Sequence, residues 1–139
     1  DYLSSHAMYV KGTEEHLTAT RNGTDVGATI GMLWLDIEGT QYWSSSTSNN
    51  VNFVQGMVDE GKKRGVSLGV YSSSSQWGPI MGGTTKFSSL PLWYAHWDHS
   101  YSSCTSDFQS FGGWTKPAMK QYAGDESFCS AGYDKNCYQ

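Results

Sequence analysis

Met32-Leu33-Trp34-Leu35-Asp36-Ile37-Glu38 is an unbroken apolar run that turns acidic at its end and is stopped by Gly39. A run of this kind reads as a strand buried on both faces, as in a parallel sheet covered by helices. Downstream, Asn49 or Asn50 can cap a helix in which Val51, Phe53, Val54, Met57 and Val58 recur at helical spacing. That pattern predicts a helix over about Asn50 to Arg64, ended by Gly61 or Gly65. Val66 to Tyr71 follows as a second short strand, with Ser72 to Ser75 as its loop. Strand, helix and strand in a step of roughly 30 residues make a βαβ unit, which implies parallel strands and a right-handed crossover.

Further along, Gly78-Pro79 and Gly82-Gly83 mark loops, and Leu92-Trp93-Tyr94-Ala95-His96 reads as a third strand. Met119 to Tyr122 and Gly132 to Asp134 are two more candidates, with no helices expected between these later strands. A barrel whose second half loses its helices fits that order better than a doubly wound sheet. Upstream, Gly12, Gly23, Gly27 and Gly31 interrupt any long element, although Thr13 to Ala19 can form two turns of helix.

The chain of 139 residues is the size of a single domain, spanning 1–139. Its net charge of −4, with no basic cluster beyond Lys62-Lys63-Arg64, argues against a nucleic-acid partner. No apolar run approaches the roughly 18–20 residues needed to cross a bilayer, so no membrane partner is expected. Aromatic residues make up 14%, including six Trp and nine Tyr. Most of these rings belong in a core, but such rings also stack on carbohydrate faces. Cys104, Cys129 and Cys137 lack metal-type or thioredoxin-type spacing, and their odd number leaves one without a partner in the chain. Asn22-Gly23-Thr24 is an N-glycosylation sequon consistent with secretion. The start at Asp1, without an initiator Met, is what a processed or truncated chain would show.

Asp36 and Glu38 lie two residues apart at the end of the first strand, so their side chains project from one face, about 6–7 Å apart along the backbone. In a β/α barrel that end carries the active site. Burial beside Trp34 and Leu35, with like-charge repulsion, would raise at least one pKa and leave a protonated acid beside an ionised one. Glycoside cleavage needs that division: one group protonates the leaving oxygen while negative charge stabilises the cation forming on the sugar. The plainer alternative is two solvated acids at a strand terminus. The surrounding aromatics and a third acid on a predicted strand, Asp134, favour the chemical one.

Leu33-Trp34-Leu35-Asp36-Ile37-Glu38 resembles the D-x-E signature of glycoside hydrolase family 25 (Chalaropsis-type) lysozymes. Val70-Tyr71-Ser72-Ser73, Pro91-Leu92-Trp93-Tyr94-Ala95, Lys120-Gln121-Tyr122 and Asp134-Lys135-Asn136 follow in that family's order over residues 32–139. Ile37-Glu38-Gly39 with Tyr42-Trp43 is most similar to its invertebrate and protist branch. The resemblance implies a modified TIM-like α/β barrel of (β/α)5(β)3 type, here lacking its N-terminal strands. It implies a muramidase cutting the β-1,4 bond between N-acetylmuramic acid and N-acetylglucosamine in bacterial peptidoglycan. By the same resemblance Glu38 is the general acid, Asp36 its charged neighbour and Asp134 the carboxylate of the last strand. Tyr71, Trp93 and Gln121 match positions lining the sugar cleft. No cofactor and no metal are implied, and the expected protein is a secreted or lysosomal/phagosomal monomer. The family's further Asp on its first strand has no counterpart that can be transferred to Asp1. The shortage of strands and the odd cysteine together lead to the expectation of more residues before Asp1.

Gly65-Val66-Ser67-Leu68-Gly69 matches the G-x-S-x-G of serine hydrolases, but a helix precedes it and a strand follows, the reverse of a nucleophile elbow. His96-Trp97-Asp98-His99 holds three possible metal ligands in four residues. Adjacent loop positions rarely converge on one ion without a distant ligand. The alternative function is a carbohydrate-binding barrel without catalysis. A chitinase-like hydrolase is disfavoured, because Met32 and Trp34 stand where its longer acidic series would be.

Overall fold

A computed structural model of the chain describes residues 32–102 and 104–138. The helix expected at Thr13 to Ala19, the Asn22 sequon and Asp1 lie outside them. Five strands form one sheet in sequential order: β1 (Leu33–Asp36), β2 (Leu68–Ser72), β3 (Leu92–Ala95), β4 (Met119–Phe128) and β5 (Ala131–Tyr138). The pairs β1/β2, β2/β3 and β3/β4 are parallel, and β4/β5 is antiparallel. Helix α1 (Thr47–Lys63) joins β1 to β2, so the βαβ unit is present, and helix α2 (Ser74–Met81) joins β2 to β3.

Helix α1 starts earlier than Asn50. Ser46 is the cap, its hydroxyl accepting from the Asn49 N–H at 3.4 Å. Asn50 is instead buried inside the helix, where its side chain donates to the carbonyls of Ser44 and Ile80 and accepts from the Ser44 N–H. Its amide therefore ties the loop before α1 to the end of α2, a long-range use invisible in local sequence.

Ser72 to Ser75 and Gly78-Pro79, both expected to be loop, fall largely within a helix, which stands between two strands where none was expected. Ser72 itself ends β2, and α2 runs through Gly78 and Pro79 to Gly82, whose φ of 64° terminates it. Gly and Pro disfavour a helix interior by about 1 and 3 kcal/mol. Trp77, Ile80 and Met81, each 1% exposed, offset this, since burying such a side chain is worth about 1.5–3 kcal/mol.

The sheet is not buried alike on its two faces. Leu35, Ile37, Leu68, Val70, Leu92 and Tyr94 face the helices and form the core with Val54, Val58, Trp77, Phe87 and Trp114. The opposite face of β1 carries Trp34 and Asp36, and among the described residues no helix covers it. Trp34 instead lies across Gly69 of β2, where an added Cβ would fall 2.3 Å from the indole. Three tryptophans (Trp43, Trp77 and Trp114) are core residues, while Trp34, Trp93 and Trp97 line a cleft on the other face.

Cys104, in the connection between β3 and β4, is disulfide-bonded to Cys137 of β5, and Cys129 is free and exposed. Closing the 33-residue separation stabilises by about 3–4 kcal/mol on the chain-entropy account. None of the described helices is long and apolar enough to cross a membrane.

Candidate active site

Period-two alternation sends Ile37 into the core, fully buried, and Asp36 and Glu38 to the cleft. The backbone holding them is fixed beyond the end of β1. Ile37 N–H donates to the Tyr71 carbonyl at 2.9 Å and Ser72 Oγ to the Ile37 carbonyl at 2.8 Å. Trp43 Nε1 donates to the Glu38 carbonyl at 2.8 Å, and Gly39, at φ 69°, turns the chain so that its N–H reaches Gln76 Oε1 at 3.1 Å. The acid pair thus sits on a strand tip anchored from β2, α2 and the loop after Gly39.

Both carboxylates reach solvent through the open cleft, yet protein packs against their other sides. Burial raises Asp36 above the ordinary carboxylate range. Burial raises Glu38 as well, and the charge of Asp36 pushes it further in the same direction. Both acids are thus displaced upward, and Glu38 carries the like-charge push of its neighbour in addition to burial.

Tyr71 lies opposite Asp36 in the register and Trp93 opposite Tyr71, so the three share one face across β1, β2 and β3. Tyr71 and Trp93 meet edge to face at 4.9 Å, and Trp93 meets Trp34 at 5.7 Å. Burial, then the charges of Glu38, Asp36 and Asp134, hold the Tyr71 hydroxyl well above its ordinary pKa, so it remains a donor. That donor points at Gln121 Oε1, 2.6 Å away. Trp93 Nε1 donates to Asn136 Oδ1 at 2.9 Å, which links the cleft wall to β5.

Asp134 enters opposite an irregularity in β4. Between the pairs Ala123/Lys135 and Glu126/Tyr133, β4 has two residues where β5 has one. This bulge puts Asp125 at φ 55° and aims its N–H at Asp134 Oδ1, at 3.1 Å. Gln121 Nε2 donates to the other oxygen at 3.0 Å.

Asp36, Glu38, Asp134, Tyr71, Trp93 and Gln121, the six candidates named from sequence, thus line one cleft of about 420 Å³. Trp97 and Asp125 line it too and were not foreseen. Trp97 stood in a segment read for metal ligation and for His96, which was expected to border the cleft or satisfy a loop and does not line the cleft; nothing local marks Asp125, because the bulge exists only where β4 meets β5. No Lys or Arg lines the cleft among the described residues.

The distant ligand missing from His96-Trp97-Asp98-His99 does exist on the helix-side face of the sheet. Ligand atoms of His96, Asp98 and Asp107 lie within 4.8 Å of one another. A cation already stands there: Lys120 Nζ, on a fully buried side chain, is 2.7 Å from Asp98 Oδ2 and 2.9 Å from Asp107 Oδ2. Tyr94 Oη and His96 Nδ1 also hydrogen-bond Asp107. The cluster is compensated by a protein ammonium and braces the connection between β3 and β4.

Residues 2–122 match the family model described as "Lysozyme-like protein 1". The chain is 51% identical over 111 residues to "Probable GH family 25 lysozyme 2" of Dictyostelium discoideum, covering 80% of this chain and 51% of that protein. It is 50% identical over 111 residues to "Probable GH family 25 lysozyme 4" of the same organism, with the same coverage. The chain spans about half the length of these curated relatives. Its five-strand half-barrel superposes on the spore cortex lytic enzyme SleM of Clostridium perfringens with a TM-score of 0.68. That match has 22% identity and covers 100% of this chain and 46% of that one. The likeness to SleM shows the fold, and the sequence matches show the kinship: the chain belongs to the lysozyme-like proteins of glycoside hydrolase family 25.

Proposed function

We propose that the protein is a muramidase that hydrolyses the β-1,4 bond between N-acetylmuramic acid and N-acetylglucosamine in bacterial peptidoglycan. The observation that carries this reading is the pair of carboxylates in an aromatic-walled cleft, with Glu38 raised by burial and by Asp36. In the reaction Glu38 gives its proton to the glycosidic oxygen as the bond to the sugar C1 breaks, and the bonding electron pair stays with the leaving sugar. Asp36 and Asp134 stabilise the positive charge that develops at C1. Water supplies the hydroxyl that ends on C1, and its proton restores Glu38. Tyr71 and Trp93 line the sugar path. We further propose that residues 1–139 belong to one catalytic domain, and that the five strands are part of a closed (β/α)5(β)3 barrel. The protein then acts as a monomer in a secreted or lysosomal/phagosomal setting, where the Cys104–Cys137 disulfide persists.

Incubation with purified bacterial cell walls is expected to release new reducing ends on muramic acid. A protein that binds wall fragments without releasing them is a carbohydrate-binding barrel, and the muramidase reading then fails. Asp36→Asn and Asp134→Asn are each expected to lower kcat more than they raise KM, because both act on developing charge. Steady-state kinetics that show a change confined to KM would assign these acids to sugar positioning alone.

The pH dependence follows from the direction of the Glu38 shift. A general acid works while protonated, so activity falls as pH rises through its pKa, and that pKa lies above the ordinary 4.5. The net charge of −4 at neutral pH also opposes approach to an anionic wall. A pH-rate profile with an acidic optimum is expected, and maximal, salt-insensitive activity at pH 8 would contradict it.

A further inference from the structure

We propose that Gln121 is the positioning residue of this cleft: its amide, locked by Tyr71 and Trp97, holds the Asp134 carboxylate in the orientation the reaction uses. The inference rests on the muramidase reading above. Gln121 is 3% exposed, so its polar atoms must be satisfied within the protein. An amide oxygen has two lone pairs. Here both are taken, by Tyr71 Oη at 2.6 Å and Trp97 Nε1 at 2.7 Å.

An indole N–H only donates, and the Tyr71 hydroxyl stays protonated in this cleft. Rotating the amide by half a turn would set its NH₂ against the indole N–H, donor against donor. The oxygen therefore has one permitted place, which directs Nε2 at Asp134 Oδ2, 3.0 Å away. With the Asp125 N–H on the other oxygen, the carboxylate is held from two directions.

Trp97 is built into this lock. Its backbone follows β4 because His96 N–H donates to the Gln121 carbonyl at 3.0 Å and His99 N–H to the Tyr122 carbonyl at 2.9 Å. The indole then rests on Gly124, where an added Cβ would lie 2.2 Å from the ring. Trp97 is 48% exposed and lines the cleft. One side chain is thus both cleft wall and lock, and a sugar stacked on its open face would hold the amide, and with it Asp134, more firmly.

The test is reducing-end release from purified cell walls by the full protein. Gln121→Met keeps the volume and removes both hydrogen-bonding ends. It is expected to lower kcat roughly 10–100-fold with KM within about twofold, the signature of lost orientation rather than lost binding. Adding Asp134→Asn to Gln121→Met should cost less than about threefold more, since the two act as one unit. Trp97→Phe keeps an aromatic ring and loses only the N–H; it should lower kcat by about 3–10-fold, and it carries the test if Gln121→Met does not fold. Parental kcat in these variants, or independent multiplication of the Gln121 and Asp134 effects, overturns the positioning role alone. A wild-type protein that releases no reducing ends overturns the muramidase reading and this inference with it.

Discussion

Replacing Glu38 by Gln is expected to remove most lytic activity while leaving the fold and wall binding intact. The amide is nearly isosteric and can still hydrogen-bond, but it has no proton to give to a leaving alkoxide. General acid catalysis commonly contributes 10²–10⁴-fold, and a loss of that order in kcat is the expected result. The backbone at this position gives no reason for collapse. Its anchors are the Trp43 indole on the Glu38 carbonyl and the Gln76 side chain on the Gly39 N–H, neither of which involves the carboxylate. Circular dichroism and binding of a wall fragment should therefore match the parent. Near-normal turnover by this variant would remove Glu38 from the acid role and shift attention to Asp36.

The largest expected effect on stability lies outside the cleft, at Lys120. Its side chain is 0% exposed and its ammonium joins Asp98 and Asp107, whose side chains are 24% and 22% exposed. Lys120→Met keeps the length of the chain but withdraws the charge, leaving two carboxylates facing each other without their shared cation. Removing one partner of a buried pair typically costs about 3–5 kcal/mol. The partial exposure of the acids places this case near the lower end, about 3 kcal/mol, measured as a shift of the urea unfolding midpoint at pH 7. A midpoint unchanged from the parent would show that the cluster contributes nothing net.

The same cluster fixes the direction of the acid response. Burial by itself would raise Asp107, but hydrogen bonds from Tyr94, Lys120 and His96, together with the Lys120 charge, outweigh it and hold this carboxyl well below the ordinary range. A depressed folded-state value means that the stabilisation is complete above the unfolded value near 4 and is lost as pH falls below it. For Lys120, burial is likewise outweighed by Asp98 and Asp107, and its pKa is raised. Its contribution persists through neutral pH and is lost only above about 10.4.

The residues that decided the fold in sequence were those whose neighbours along the chain share their fate. In β1 the two-residue alternation assigns Leu35 and Ile37 to one face and Asp36 and Glu38 to the other, whatever the rest of the chain does. In α1 the spacing of Val51, Val54 and Val58 carries the same kind of information at period 3.6. These local periods made β1, α1, β2 and β3 legible, with the acid pair on a strand tip, and the ordered blocks from Val70 to Asn136 made the family resemblance legible.

Tertiary structure alone decided everything that depends on a partner far along the chain. Helix α2 forms through Gly78-Pro79 because Trp77, Ile80 and Met81 find a core supplied by other elements, and that burial outweighs local propensity. Which of three cysteines pair is a matter of where β5 passes Cys104. Trp97 enters the cleft because its loop follows β4 and Gly124 leaves room for the ring. Asp134 is aimed by a bulge that exists only where β4 meets β5, and Lys120 is tolerated in the interior only because Asp98 and Asp107 converge on it from one connecting loop. Periodicity records which way a side chain points from its own strand or helix; it holds no record of what comes to meet it there.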